Sequence, residues 1–332
     1  MKLVASIMFW LAVSLPVIAA AEPPASPAAP AAPSASPDPS DLLFASPTRL
    51  DHIGRIVAPV MIDGRGPFRF VVDTGANHST ISPHLARVLG LIPAQGASML
   101  VTGITGQEQL PWVPIDLLQV GQIRIENLKM PVIETPIMAG ADGILGVAGL
   151  TSERIAVDFQ HNEVWISRSR GGPVWDFLDI PAELTWGGLL MVPAHVGDIA
   201  VEAVIDTGSP RTLGNVALRK ALLQNMTKGG EAKIYGVTKE VSSGDMALAP
   251  DIELGPATIR SLSIIYSDIP IFKVWHLESK PAVIIGMDVL GTVDALVLDF
   301  GHPRIYMLPV EPDGVEVIRK MSMVYHRPVP LG

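Results

Sequence analysis

The sequence predicts a mostly β protein built as two lobes related by an internal repeat, with a few short helices. Three observations predict it. Thirty Gly and thirty Pro in 332 residues punctuate the chain with turns, which suits many short strands better than a helical bundle. A hydrophobic content of 48% against only 17% charged residues supplies a substantial core. The chain also repeats itself: "FRFVVDTGANHSTIS" from Phe68 and "VEAVIDTGSPRTLGN" from Val201 each carry an apolar, β-favouring run into Asp-Thr-Gly.

The repeat justifies the elements in order. "RIVAPVMIDGRGPFRFVVDTG" from Arg55 parallels "LLMVPAHVGDIAVEAVIDTG" from Leu189, and each reads as a hairpin, turning at Asp63-Gly64 or Gly197-Asp198. "ISPHLARVLGL" and "GNVALRKALLQNM" follow with apolar residues at helical spacing, and Gly90 suits a helix end. "VTGITG" at Val101 and "YGVTKE" at Tyr235 read as hairpin tips. Each half then reaches two apolar residues and a Gly, Ile144-Leu145-Gly146 and Ile284-Ile285-Gly286, and ends on a strand pair, "RIAVDFQHNEVWIS" and "ALVLDFGHPRIYML". The offsets agree, with 206 − 73 = 133 between the Asps, 286 − 146 = 140 between the glycines and 299 − 158 = 141 between the Asp-Phe pairs. Lobe 1 is thus expected over residues 48–170, a connection over 171–188, lobe 2 over 189–310 and a tail over 311–332.

Residues 1–21 hold one Lys, an apolar run and Ala19-Ala20-Ala21, the layout of a cleaved secretory signal. No later segment is long and apolar enough to span a membrane. The linker expected over 22–47 is low in complexity: of the nineteen residues from Glu22 to Ser40, seventeen are Pro, Ala or Ser, a semi-extended spacer that cannot bury a core. An exported chain, periplasmic or secreted, is expected. With no cysteine, disulfides, thiol nucleophiles and Cys-ligated metals are excluded. Loss of the leader removes only Lys2, leaving 23 basic and 33 acidic residues and a net charge of −10. That balance argues against a nucleic-acid partner.

Asp-Thr-Gly, a glycine-bearing hairpin tip and an apolar-apolar-Gly segment, in that order and twice, resemble the aspartic peptidases of the retropepsin and pepsin type. "VVDTGANHSTISPHLARVLGL" is similar to retropepsin-like domains of bacterial envelope proteins. The resemblance spans roughly Arg55 to Leu308 and implies two retropepsin-like lobes meeting about a two-fold axis. It implies Asp73 and Asp206 as the catalytic pair and Thr74 and Thr207 as the brace between their loops. Gly75 and Gly208 would be the points of close approach, and Ile144-Leu145-Gly146 and Ile284-Ile285-Gly286 would pack beneath. Two carboxylates about 3 Å apart cannot both ionise, so they share a proton, and general acid–base hydrolysis by an activated water follows without metal or cofactor. The expected substrate is an extended peptide or protein segment, and the expected assembly a monomer with both lobes from one chain. Pairing of like lobes between two chains is the alternative assembly. A peptide-binding protein that does not cut is the alternative function.

Departures from the pattern are local. Asp288 in "IIGMDVL" has Ala148 as its counterpart, and the first hairpin tip lacks a Tyr whereas the second carries Tyr235. His78 and Arg211 lie near the two Asp-Thr-Gly triplets and are expected to face solvent. Asp158 and Asp299 are expected to make structural hydrogen bonds. Asn77-His78-Ser79 and Asn225-Met226-Thr227 fit a glycosylation pattern that arises often by chance. No H-E-x-x-H, G-x-S-x-G or P-loop is present.

Overall fold

The computed structural model describes residues 45–310, apart from 48, 52, 53, 94, 97, 122, 173, 175 and 223–226. The expected leader, most of the spacer, the tail and part of the Asn225 triplet lie outside the described residues. Among those described, no helix is long and apolar enough to cross a membrane.

Each half begins with the hairpin that its alternation dictates. Ile56–Ile62 pairs with Arg65–Val72, and Ile56, Ala58, Val60 and Ile62 are buried at every second position. A two-residue loop of type I′, whose twist matches that of the strands, requires positive φ at both residues, and Asp63 (49°) and Gly64 (74°) meet it. Asp63 is tied further by its carboxylate, which accepts from the Leu117 N–H at 2.8 Å. In lobe 2, Leu189–Val196 pairs with Ile199–Ile205 in the same way.

The second strand of each hairpin then runs parallel to the apolar-apolar-Gly segment. Phe70-Val71-Val72 lies along Gly143-Ile144-Leu145, and Ala203-Val204-Ile205 along Val283-Ile284-Ile285. The chain returns antiparallel on the far side of the same segment, as Thr80-Ile81 and as Leu213-Gly214. The seven residues between are therefore a loop anchored on both flanks of one short buried strand. A helix follows each loop, Pro83–Leu89 and Val216–Leu222. Ser82 caps the first, its Oγ accepting from Leu85 N–H, and Gly90 at φ 72° closes it. Asn215 caps the second, its Oδ1 accepting from Leu218 N–H at 2.8 Å.

The closing strand pairs do not stay within their own lobes. Glu153–Asp158 pairs with Val293–Asp299, joining both halves in one antiparallel six-stranded sheet. Its order is Ala45–Pro47, Glu163–Arg168, Glu153–Asp158, Val293–Asp299, Arg304–Pro309, Leu178–Pro181. Ala156 faces Val297 across the centre, and these two residues hold the same place in the two halves, so the pseudo-two-fold axis passes between them. Two expected boundaries shift as a result. Residues 45–47 form an edge strand instead of the end of the linker, since the outer position of a sheet tolerates Pro. The 171–188 connection contains two strands, Leu178–Pro181 on the shared sheet and Glu183–Thr185 on the lobe 2 hairpin. One hydrophobic cluster runs through both lobes, including Phe70, Ile155, Leu298 and Ile285. Each such fully buried side chain contributes roughly 1.5–3 kcal/mol, which suits a chain with no disulfide to assist it.

Candidate active site

Asp73 and Asp206 head the two anchored loops, and their backbone N–H groups each bond the apolar-apolar-Gly segment beneath, to Leu145 and Ile285 carbonyls at 3.0 Å. The loops are clamped to each other by a reciprocal brace. Thr74 N–H donates to Thr207 Oγ1 and Thr207 N–H to Thr74 Oγ1, both at 3.1 Å. Each hydroxyl in turn donates across the axis, Thr74 to Ile205 O at 2.8 Å and Thr207 to Val72 O at 2.7 Å. Four bonds on two fully buried threonines leave no hydroxyl unsatisfied.

The glycines follow from the resulting closeness. A Cβ on Gly208 would stand well inside contact distance of Asp73 Cγ, and one on Gly75 would stand 2.5 Å from Asp206 Cγ. Gly146 and Gly286 lie under the loops against backbone of 76–78 and 209–211, where a Cβ would approach to 2.7 and 2.6 Å. The twelve residues singled out in the sequence thus form one assembly, with each carboxyl group against the glycine of the opposite loop and both facing one cavity.

The carboxyls are alike in position but unlike in partners. Asp73 Oδ1 accepts from Gly75 N–H at 2.9 Å, while the next amide, Ala76, turns to the Asp73 carbonyl. Asp206 Oδ1 accepts from both Gly208 (2.8 Å) and Ser209 (3.1 Å). Burial pushes both carboxyls above the usual 3.8; for Asp73 the Asp206 charge adds to it, Arg55 opposes it, and the result stands well above 3.8. For Asp206 the Gly208 and Ser209 amides offset much of the effect of burial. The two carboxyls therefore titrate as one pair that shares a proton, with one amide N–H on Asp73 against two on Asp206 favouring the negative charge on Asp206.

Above the pair lies a cavity of about 310 Å³ whose floor includes Asp73 and Asp206 and whose roof includes Gly103, Ile104, Gly236 and Val237. The roof is made by both hairpin tips, one from Ser98–Gly103 and Gly106–Val120, the other from Thr227–Tyr235 and Val241–Leu248. Thr105 and Thr238 meet hydroxyl to hydroxyl at 2.9 Å, 133 residues apart like the two Asps. Lys239 adds a backbone bond to Glu108 at 3.1 Å and an ion pair at 3.3 Å. The axis thus runs from the dyad to the roof.

A family model described as aspartyl protease matches residues 58–148 and again 192–289, together more than half of the chain and one match to each lobe. The chain belongs to the aspartyl protease family. Its two matches in tandem mark it as a two-lobe, retropepsin-like member. A search of curated proteins returns no match.

Around this protease framework the remaining residues take separate places. Asp288 is structural to lobe 2, accepting from Thr212 N–H (3.0 Å) and Oγ1 (2.7 Å). In lobe 1 Ser79 Oγ accepts from Gly146 N–H at 3.2 Å, as Thr212 Oγ1 does from Gly286. Asp158 and Asp299 close turns, accepting from the N–H of His161 and His302 at 2.9 Å. His78 is exposed, whereas Arg211 is exposed and also lines the cavity, as does Tyr235. Sequence reasoning passed over Arg55, which lines the cavity almost fully buried, bonded to Asp51 at 2.7 Å and to Ile137 O at 2.5 Å. The signal was available: a lone Arg opens an otherwise apolar strand, and a buried cation requires a partner.

Proposed function

We propose that the protein is an exported aspartic endopeptidase, with Asp73 and Asp206 as its catalytic pair. The observation that carries this reading is two carboxyls, Asp206 buried and Asp73 half-buried, brought to the floor of one cavity by loops that the threonine brace clamps together. In the proposed reaction Asp206 takes a proton from water as the hydroxyl oxygen bonds to the scissile carbonyl carbon, and Asp73 gives its proton to the carbonyl oxygen. The tetrahedral diol then collapses. Asp206 returns its proton to the amide nitrogen, the C–N bond breaks, and Asp73 recovers a proton from a diol hydroxyl. Gly75, Gly208, Ser209 and the threonine brace hold both carboxyls in place throughout, so little reorganisation accompanies the charge movement.

The pair must hold one proton to act. Because burial raises both carboxyls, the second proton leaves at a pH above the usual 3.8, so hydrolysis of an unfolded protein substrate is expected at acidic to mildly acidic pH and to fall as pH rises further. Chelators are expected to leave the rate unchanged, since a proton-sharing carboxyl pair activates water without a metal. Loss of activity in chelator with recovery on adding zinc would overturn the mechanism.

Export rests on the charge and apolar pattern of residues 1–21 and the spacer behind them. Mass spectrometry of envelope material is expected to find a chain starting near Glu22. Recovery of intact Met1 would point to a retained anchor instead.

A further inference from the structure

We propose that the cleft selects substrates carrying an acidic side chain close to the cut, held by Arg211 and Lys233 on the lobe 2 wall. The proposal rests on the peptidase reading and names its substrate class. Among the described residues, five charged ones line the cavity: Asp73, Asp206, Arg55, Arg211 and Lys233. The two Asps share one negative charge between them. Arg55 is neutralised where it stands, its Nε and Nη2 on Asp51 at 2.8 and 2.7 Å, with both side chains no more than 2% exposed. Arg211 and Lys233 differ. Among the described residues neither joins an ion pair; Arg211 is felt by Asp288, but both oxygens of that carboxylate already accept from Thr212.

Their placement is fixed by backbone. Lys233 sits within the hairpin strand Thr227–Tyr235, opposite Ser243, and the Arg211 carbonyl is held by Ser209 Oγ at 2.7 Å. The charges face water in the free protein, so no burial cost accompanies them until a substrate covers them. Much of the wall around them is apolar, with Ile104, Leu213, Ile234 and Ile265, alongside the hydroxyls of Thr102, Ser209 and Tyr235. A bound segment would thus meet apolar surface beside the dyad and, within the same cavity, two cations that join no ion pair among the described residues, a setting in which a carboxylate gains charge-assisted hydrogen bonds.

The feature is also confined to one lobe. The offset of 133 that relates the dyad and the roof threonines maps Arg211 to His78 and Lys233 to Leu100, and neither of these lines the cavity. The repeat supplies two similar walls, and lobe 2 alone has been made cationic. The preference is therefore expected at a restricted position of the peptide and not along its length.

The test uses extended ten-residue peptides with apolar residues at the cut and Glu or Gln placed at one position at a time. Binding is read by fluorescence anisotropy on the full-length Asp206→Asn protein, and kcat/KM on the wild type. At one position the Glu peptide is expected to bind about tenfold more tightly than its Gln partner at low salt, with the ratio shrinking at high salt. Arg211→Gln combined with Lys233→Gln is expected to bring the ratio to one, and Arg211→Glu with Lys233→Glu to reverse the preference towards a Lys peptide. An equal Glu and Gln series, or a ratio that survives both pairs of substitutions, overturns the proposal. Preferential Glu binding without cleavage of any peptide would instead sink the peptidase reading and leave the carboxylate site standing.

Discussion

Asp73→Asn and Asp206→Asn are each expected to lower kcat by at least about 10³-fold, and the double substitution to be little worse than either. An amide can neither give up nor hold the shared proton, so removing one acid disables both. The cavity should survive, because the amide in Asp206→Asn retains an oxygen for the Gly208 and Ser209 N–H groups and that in Asp73→Asn one for Gly75. Stability should move the other way. A carboxyl whose folded pKa is raised holds its proton more tightly folded than unfolded, so ionisation weakens the fold. That penalty is absent below the usual 3.8 and grows as pH climbs through the raised value. Asp73→Asn is therefore expected to unfold at a higher temperature than wild type at neutral pH, with the gap closing in acid. Single variants of very different residual rate, or a thermal gap of the opposite sign, would show that the two carboxyls do not act as one unit. Mixing the two single variants should restore nothing, because each chain supplies both loops of its own brace; recovered activity would reveal lobes exchanged between chains.

Gly208→Ala is the second large effect, expected to cost at least about 10²-fold in kcat/KM although the substituted residue carries no chemistry. The new methyl would overlap Asp73 Cγ and both of its carboxyl oxygens. What it meets is a short side chain held by Gly75 N–H and by the opposing carboxyl, so the clash is relieved only by moving the acid itself. Gly75→Ala should act likewise on Asp206, from 2.5 Å. Gly230→Ala serves as the control, since nothing lies within 4 Å of its added Cβ, and it should retain the wild-type rate. Peptide hydrolysis alongside circular dichroism distinguishes a displaced carboxyl from an unfolded chain. Full activity in Gly208→Ala would mean that the active geometry is looser than the contact of the two loops implies.

The loops and the segments beneath were legible because each depends on residues close in sequence and because the chain states them twice, whereas the brace between Thr74 and Thr207 came from the family resemblance alone. What escaped was the strand pairing between the repeats. Glu153–Asp158 and Glu163–Arg168 read locally as a hairpin, and they form one. Nothing in their alternation distinguishes an outer strand from one that also pairs with Val293–Asp299. Strand Leu178–Pro181 was hidden by the Gly and Pro around it, which read as connection. The dissimilarity of the two carboxyls was also invisible, since it turns on whether the amide after Gly75 or Gly208 faces a side chain or a carbonyl. Ala76 and Ser209 mark the place without disclosing the outcome.

The meeting of Thr105 and Thr238 bears on which proteins such an enzyme could destroy. A cleft roofed from both sides admits a strand and little more, and about 310 Å³ is room for a few side chains in single file. A native client offers no such strand until part of it comes undone, so its lifetime is set by how often it opens, a property of the client and not of the cleft. Sound proteins would pass by at any concentration, while damaged or unassembled ones bearing the same sequence would be consumed. Discrimination of that kind comes before any side-chain preference, since it reads the client's own conformational equilibrium.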